Sequence, residues 1–496
     1  MATTTLTGTT GNDILNAPGS VSTLVQGLQG NDTITLSLST DEGAAGAGND
    51  VIRIANRAVL VNTIQGGDGN DTVLFNSAAQ FGGYIDLGAG SDSIAFSATA
   101  PLINGGQIYG GEGSDTIRLA NSFVNATIGA GSGNDLVAIT AAGATVTSSL
   151  INGGKEKDTI SFGPGGGSFA TVAGGQGADQ IAFTAGNFTN TLVGGGQGVD
   201  SIQLGAGEVA TVAGGGLSDT ITFTSGAYSA GLIFGDANGV TTEGTGTEGA
   251  ADGADFINGT QTDFNTVSVY GAGGNDTIAF RTRSAGMVDG GNGADSIFVG
   301  LATAGSNYGL GTISGGAGLD TINVGVTSVF AAYTANGTIS GGEGVDLISV
   351  RLAAATAGVS VNSTAAIVAV ISDVSKDTVR TLSGLNFTAG GGNTAANWVG
   401  LAPTMVATTG VGTFIGTGAG GLAPFTAGSI GVFSDGTDSI IAIKQGDATS
   451  SAVSMILVKG VDLTITTATG SVTATATTFR FSVAANTGGG MNITFS

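Results

Sequence analysis

The segment NTIQGGDGNDTVLF at residues 62–75 contains the unit from which most of this chain is built. Apolar and polar residues alternate before the glycines, and they alternate again after Asp71, where Val73 and Phe75 share one side. The unit therefore predicts two short strands joined by a glycine turn. Close copies are GGEGSDTIRL at 110–119, GGQGADQIAF at 174–183 and GGNGADSIFV at 290–299.

The aspartate of this unit recurs sixteen times, mostly at intervals of about 18 to 26 residues, a period typical of solenoids. The residue two positions later is Ile, Val or Leu in every copy, and the residue two positions earlier is Gly in 14 of the 16. Such a glycine is expected where the turn needs positive φ and room for carbonyl oxygens. The aligned residues are Asp13, Asp32, Asp50, Asp71, Asp92, Asp115, Asp135, Asp158, Asp179, Asp200, Asp219, Asp255, Asp276, Asp295, Asp320 and Asp346.

These features predict an all-β fold, a right-handed parallel β-solenoid of about 16 coils over residues 1–350. One coil cannot bury its apolar residues alone, so the coils must stack, with the residues two and four after each aspartate forming apolar ladders. On the facing strand we expect the inward positions to be those of Ile64, Val172, Val212, Val288 and Ile313. The two sheets would then share a thin core, with a variable loop at the far end of each coil.

The net negative charge of the chain lies in the repeat region. The net charge is −23, and residues 1–350 hold 30 acidic and 7 basic residues, whereas residues 351–496 hold six of each. Such a surface repels nucleic acid and anionic lipid, so neither is an expected partner. The expected partner is a cation.

The spacing of the aspartates indicates which cation. Coils stacked in a parallel sheet lie about 4.8 Å apart, and two unit charges about 5 Å apart repel by roughly 3 kcal/mol at an effective dielectric near 20. A divalent cation between successive turns would remove this repulsion. Carboxylate and carbonyl oxygens in a flexible turn suit Ca²⁺ better than Mg²⁺.

The repeats resemble the Gly-Gly-x-Gly-x-Asp-x-apolar-x repeats of the repeats-in-toxin (RTX) family, over about residues 6–350. The resemblance implies a parallel β-roll around calcium. Each coil here carries one such turn, so we expect a single row of ions along one edge. The candidate calcium ligands are Asp13, Asp32, Asp50, Asp71, Asp92, Asp115, Asp135, Asp179, Asp200, Asp255, Asp276, Asp295, Asp320 and Asp346.

Three turns depart from the family pattern. GGKEKDTI has Glu156 in place of a turn glycine, and its Lys155 and Lys157 are expected to neutralise Asp158 without an ion; GGGLSDTI has Leu217 at the same position. Asp158 and Asp219 are therefore left out of the candidate ligands. An acidic Gly/Thr-rich insertion at 236–252 interrupts a third turn and favours a surface loop over a partner-binding loop.

Residues 351–496 lose the period and predict a β-sandwich-like terminal domain for secretion or assembly. The stretch FSDGTDSIIAIKQGDATSSAVSMILVKGVDL at 433–463 resembles the C-terminal module of type I-secreted bacterial proteins, including S-layer and adhesin-like ones. The resemblance implies export by a C-terminal signal. We accordingly expect an extracellular or cell-surface protein, exported without an N-terminal signal peptide and without a membrane span. Turn residues Asp435, Asp438 and Asp447 are further cation candidates, or simply solvated.

The composition argues against an enzyme. The chain has no His and no Cys, so a Ser-His-Asp triad, a His-based zinc helix and a thiolate nucleophile are all excluded. We favour a calcium-stabilised structural protein that self-assembles, as a homo-oligomer or polymer, into a bacterial surface layer, fibre or matrix, with cell-surface polysaccharide as a further partner. The alternative is a calcium-dependent adhesin or an ice-binding solenoid.

Overall fold

The structure is a computed structural model of the chain. It describes residues 4–54, 59–60, 63–75, 80–96, 103–140, 142–184, 188–205, 211–224, 227–236, 253–282, 286–301, 311–325 and 338–351, together with the strands between 367 and 495 given below. The chain divides into two compact units, Met1–Phe256 and Ile257–Ser496. The sequence-based boundary near 350 stays a prediction.

In the first unit, each coil has one strand before the glycine turn and one after it, here named the pre-turn and post-turn strands. The pre-turn strands are Thr4–Thr7, Thr23–Gln29, Glu42–Ala47, Thr63–Asp68, Tyr84–Ala89, Gln107–Glu112, Thr127–Ser132, Leu150–Lys155, Thr171–Gln176, Leu192–Gln197, Thr211–Gly216 and Ala227–Asp236. The post-turn strands are Ile14–Asn16, Thr33–Leu36, Val51–Ile54, Thr72–Phe75, Ser93–Phe96, Thr116–Leu119, Leu136–Ile139, Thr159–Phe162, Gln180–Phe183, Ser201–Leu204 and Thr220–Phe223.

Each strand pairs in parallel with its counterpart in the next coil. Ile64 pairs with Ile85, which pairs with Ile108, and Val73 pairs with Ile94 on the post-turn side. The prediction of an all-β parallel β-solenoid is therefore confirmed, and its glycine turns lie where the period put them.

A third sheet, which the sequence did not predict, lies in the loops at the far end of the coils. Its strands are short and parallel: Val59–Leu60, Gln80–Phe81, Ile103–Asn104, Phe123–Val124, Thr145–Thr147, Gly166–Ser168 and Phe188–Thr189. Strands of two or three residues carry no readable alternation, which explains why only a variable loop was expected there.

The core consists of apolar ladders from these sheets. The five inward residues predicted on the pre-turn strands are all buried. Phe75 and Phe96 stack in adjacent coils with ring centroids 4.0 Å apart, and Phe162 and Phe183 do so at 4.3 Å. The third sheet closes this core, because Phe81 makes an edge contact with Phe75 at 5.4 Å.

The second unit begins with the same arrangement. Its repeat strands are Phe256–Gly273, Thr277–Thr282, Met287–Asn292, Ser296–Leu301, Thr312–Gly318, Thr321–Gly325, Thr338–Gly344 and Leu347–Arg351. Val288 pairs with Ile313, and Ile297 pairs with Ile322, again in parallel.

The strands after residue 351 change the pairing. They are Ile367–Ser372, Thr378–Leu382, Trp398–Gly400, Thr404–Val406, Thr413–Ile415, Ile430–Ser434, Ser439–Lys444, Val453–Val458, Phe481–Ala485 and Met491–Phe495. The first two still stack in parallel on the last repeat, whereas 430–434, 439–444 and 453–458 pair antiparallel. The sandwich itself stays a prediction. Asp435, Asp438, Asp447 and nearly all of the predicted insertion, residues 237–252, lie outside the described residues.

Over the part of the chain that the structure describes, no helix is long and apolar enough to cross a membrane.

Candidate cation sites at the glycine turns

The repeat aspartates form a hydrogen-bonded ladder along the turns. The backbone N–H of each aspartate donates to Oδ1 of the aspartate in the following coil, from Asp13 to Asp255 in the first unit and from Asp276 to Asp346 in the second, at 2.6 to 2.8 Å. From Asp32 to Asp346 these side chains are buried, with at most 3 % of each exposed. The side chains thus lie inside the turn instead of projecting into solvent.

In twelve of these residues the second carboxylate oxygen, Oδ2, is buried without a hydrogen-bond donor. A buried carboxylate oxygen left in this state is costly, because it has lost water and gained nothing in exchange. The aspartates in which the structure shows this are Asp32, Asp50, Asp71, Asp92, Asp115, Asp135, Asp158, Asp179, Asp200, Asp219, Asp295 and Asp320.

The surroundings of Oδ2 consist of backbone carbonyls. In the coil of Asp71, a Cβ added to Gly66 would strike both Asp71 Oδ2 and the carbonyl oxygen of Leu87 in the next coil. The same pair of oxygens meets at Gly110, where they come from Asp115 and Ala130. Two acceptors side by side, of which Oδ2 has no donor, are an arrangement that a hard cation can bind.

One buried aspartate outside the ladder shows that this fold can satisfy a carboxylate fully. Oδ1 of Asp41 accepts the N–H of Thr23 at 2.9 Å, and its Oδ2 accepts those of Ser37 and Leu38 at 2.8 and 2.7 Å. The missing hydrogen bond to Oδ2 is therefore a feature of the ladder and not of every buried aspartate in the described part of the chain.

Without a bound cation, burial and neighbouring charges disfavour the charged form of the ladder aspartates. Burial raises the pKa of Asp71 and of Asp115 to about 7; the backbone N–H that each accepts lowers it, and neighbouring aspartates raise it further. Burial is also the largest cause of the raised pKa at the seven aspartates that follow. The pKa is raised to about 6 at Asp92, Asp135, Asp179 and Asp320, to about 7 at Asp200, to about 8 at Asp158 and to about 9 at Asp219.

The glycine two residues before the aspartate has the geometry that was predicted. At Gly69 φ is +121°, and a Cβ there would strike the carbonyl oxygen of Gly48 in the preceding coil. A side chain at this position is therefore unfavourable for two reasons, the left-handed backbone and the close stacking of the carbonyls.

A second ladder, formed by the residue just before the aspartate, was missed from the sequence. The N–H of Asn31 donates to Oδ1 of Asn12, that of Asn49 to Asn31, and that of Asn70 to Asn49, each at 2.8 Å. In this ladder each N–H donates to the preceding coil, whereas in the aspartate ladder it donates to the following coil. The repeated Asn in these four copies was the available signal.

Asp13 differs from the other predicted ligands. Its Oδ2 accepts hydrogen bonds from the backbone N–H and the hydroxyl of Thr9, at 2.6 and 2.9 Å. Thr9 stands where Gly67 stands in the coil of Asp71. A cation at Asp13 would have to displace these donors.

The two excluded aspartates have the same geometry as their neighbours. Oδ1 of Asp158 accepts the N–H of Asp135, and its Oδ2 lies with the carbonyl oxygen of Gly174 against Gly153. Burial raises its pKa to about 8, with the charges of Asp135, Asp179 and Glu156 adding to the rise. This direction is the opposite of the neutralisation expected from Lys155 and Lys157.

The residues fit calcium as one carboxylate plus backbone carbonyls per site. In the described part of the chain, no three His, Cys, Asp or Glu side chains converge as a metal cluster. The remaining ligands must then be carbonyls and water, which calcium accepts. When bound, the ion would supply the positive charge that Oδ2 and the neighbouring carbonyl lack.

Comparison with known proteins gives a likeness at the level of structure. No family model matches the chain, and no curated protein matches it. A solved structure, a hyperactive Ca²⁺-dependent β-helical antifreeze protein from an Antarctic bacterium, is similar at 20% sequence identity and a TM-score of 0.33, over 69% of this chain and 84% of that chain.

Proposed function

We propose that the chain is a calcium-stabilised structural solenoid, secreted to the cell surface, that self-assembles into an extracellular layer, fibre or matrix. Calcium would bind at the ladder aspartates, between Oδ2 of one coil and the turn carbonyl of the next. Its role would be structural, since it bridges coils and touches no reacting group.

The observation that carries the calcium part is the repeated pairing of a buried Oδ2 with a carbonyl oxygen. This pairing occurs at Asp71, Asp115 and Asp179, among others, and leaves two acceptors facing each other. A bound divalent ion would have both oxygens as ligands, would satisfy the buried Oδ2, and would offset the repulsion between successive carboxylates.

Two features support the assembly part. The chain has neither His nor Cys and is mostly scaffold. Leu319 and Val345, on adjacent coils of the second unit, are 64% and 55% exposed, an apolar strip at the turn edge that subunits could cover once calcium lowers the negative charge of the surface. Rods that repeat the same geometry can then associate repeatedly.

The test has two stages on the full chain. Calcium is first titrated into chelated protein by calorimetry, while circular dichroism follows the β-signal. Light scattering and electron microscopy then follow the protein at extracellular calcium concentrations. We expect multiple calcium ions per chain, an increase in β-structure, and ordered sheets or fibres.

The two stages can fail separately. A β-signal and a heat trace that do not respond to calcium would remove the calcium role. Calcium binding by protein that stays monomeric at high concentration would instead favour the alternative, an adhesin or an ice-binding module.

A further inference from the structure

One turn in the first unit carries a carboxylate where its neighbours have glycine. Asp236 pairs in register with Gly215 of the preceding coil, which is the position of Gly67 in the coil of Asp71. Residues 237–252 stand where that coil has the single residue Asp68, and the turn resumes at Gly253.

Asp236 closes this turn. It is 6% exposed, and its Oδ1 accepts the backbone N–H of Gly253 at 3.2 Å. At Gly177 and Gly198, the corresponding N–H groups donate instead to backbone carbonyls of the following coil. The Asp236 side chain thus holds together the two ends of the chain between which residues 237–252 are inserted.

The position of Asp236 brings a second carboxylate to the site of Asp219. Asp219 is 2% exposed, and its Oδ2 is buried without a hydrogen bond. That oxygen and the carbonyl oxygen of Gly235 both lie against Gly214. Since Gly235 is bonded to Asp236, the extra carboxylate follows directly after the carbonyl that lies beside the orphaned oxygen, and the three groups belong to the facing turns of two adjacent coils.

The electrostatic effect of Asp236 at this turn agrees with that placement. The negative charge of Asp236 is one of the neighbouring charges that act on the Asp219 carboxylate. At Asp200, the next site along the row, the carbonyl oxygen beside Oδ2 is that of Gly214, and the residue after it is Gly215, which has no side chain. The Asp219 site therefore has a carboxylate beside it that the Asp200 site lacks.

We propose that Asp219 and Asp236 together form a cation site of a second class, which binds calcium or a trivalent lanthanide more tightly than the single-carboxylate sites. The inference rests on the proposed calcium function and goes further, because it assigns different affinities to sites in one row. Its ligands would be the two carboxylates and the Gly235 carbonyl. Each additional negative ligand raises the affinity of an oxygen site for a hard cation.

The experiment uses the full chain and two probes, Ca²⁺ in calorimetry and Tb³⁺ in luminescence titration. The variants are Asp236→Asn, Asp219→Asn, and Asp68→Asn as the matched control, which removes one charge from an exposed turn position. Asp236→Asn keeps an oxygen that can accept the Gly253 N–H. For the wild type we expect one site at least about tenfold tighter than the rest.

The outcomes separate the two proposals. The inference predicts that Asp236→Asn and Asp219→Asn each lose the tight site and keep the weaker set, whereas Asp68→Asn keeps both. A titration of Asp236→Asn that superimposes on that of the wild type overturns the inference and leaves the proposed function intact. Wild-type protein that binds no calcium defeats the proposed function itself.

A folding defect can also be distinguished. Asp236→Gly restores the repeat glycine and serves as the second variant. If Asp236→Asn and Asp236→Gly both lose the tight site and the weaker set together, Asp236 is a residue needed for folding and the inference is overturned. Loss of the tight site alone in both variants supports it.

Discussion

Replacing one ladder aspartate by asparagine should have opposite effects with and without calcium. In Asp115, Oδ1 accepts the N–H of Asp92 at 2.8 Å, and Oδ2 lies beside the carbonyl oxygen of Ala130. An asparagine keeps the first acceptor and places an NH₂ donor next to that carbonyl. Asp115→Asn thus converts two facing acceptors into a hydrogen bond and removes a buried charge.

The size of the stability change expected for Asp115→Asn follows from the raised pKa of Asp115. Burial raises the pKa of Asp115 from 3.8 to about 7, and each unit corresponds to about 1.4 kcal/mol. At pH 8, in chelator, the charged side chain therefore costs the fold about 4 kcal/mol, and the new hydrogen bond adds about 1 kcal/mol. We expect Asp115→Asn to be more stable than the wild type without calcium, by up to this amount.

With saturating calcium the order should reverse, because the variant has lost the carboxylate ligand of one ion. The measurement is urea unfolding followed by circular dichroism at pH 8, in chelator and in calcium, with Asp68→Asn as the control for removing a charge at an exposed position. Asp115→Asn that is destabilised equally in both conditions would refute the reasoning, since the charge would then not be what limits the calcium-free fold.

Three further predictions concern pH, the turn and the core. In the folded protein without calcium, the aspartate pKa values are raised to about 6 to 9. The stability that these groups contribute is therefore fully present below about pH 4, the unfolded pKa, and is lost as pH rises through 6 to 9. In chelator the protein should melt at a higher temperature at pH 5 than at pH 9, and saturating calcium should shrink or reverse this difference. Gly69→Ala should lower stability by at least about 1 to 2 kcal/mol, because of its positive φ and the clash with Gly48. Gly11→Ala, where a Cβ meets nothing nearer than 3.8 Å, should have little effect in the same urea assay. Ile94→Ala should cost about 2 to 5 kcal/mol, since Ile94 is fully buried, whereas Ser93→Ala on the outward side should cost much less.

The sequence was sufficient to predict the coil and the turn because both are periodic. The inward positions of Ile64 and Val172 follow from alternation, and the row of aspartates follows from alignment of the copies. Stacking in register then requires equivalent residues to become neighbours, as Ile64 and Ile85 do. These inferences needed no knowledge of any long-range contact beyond the repeat itself.

What the sequence could not predict depends on single side chains and on short segments. The hydrogen bonds from Thr9 to Asp13 and from Gly253 to Asp236 each occur once, so no period marks them. The third sheet is built from strands as short as Gln80–Phe81, in coils of unequal length. That Oδ1 and Oδ2 have different partners is also invisible in a row of aligned aspartates.

The departures from the repeat motif separate the residues that the proposed cation sites need from those that only permit the turn. Glu156 and Leu217 stand in glycine positions, yet both take up the left-handed backbone, with φ of +67° and +70°. Their carbonyl oxygens remain in the stack, since a Cβ on Gly177 would strike that of Glu156 and a Cβ on Gly253 that of Leu217. A non-glycine residue in this conformation costs about 1 to 2 kcal/mol, which a long array can absorb once or twice. The backbone path of the turn is thus kept whatever the side chain at these positions, so under the proposed calcium function we expect a turn to lose its cation site when its aspartate is replaced and to keep it when this glycine is.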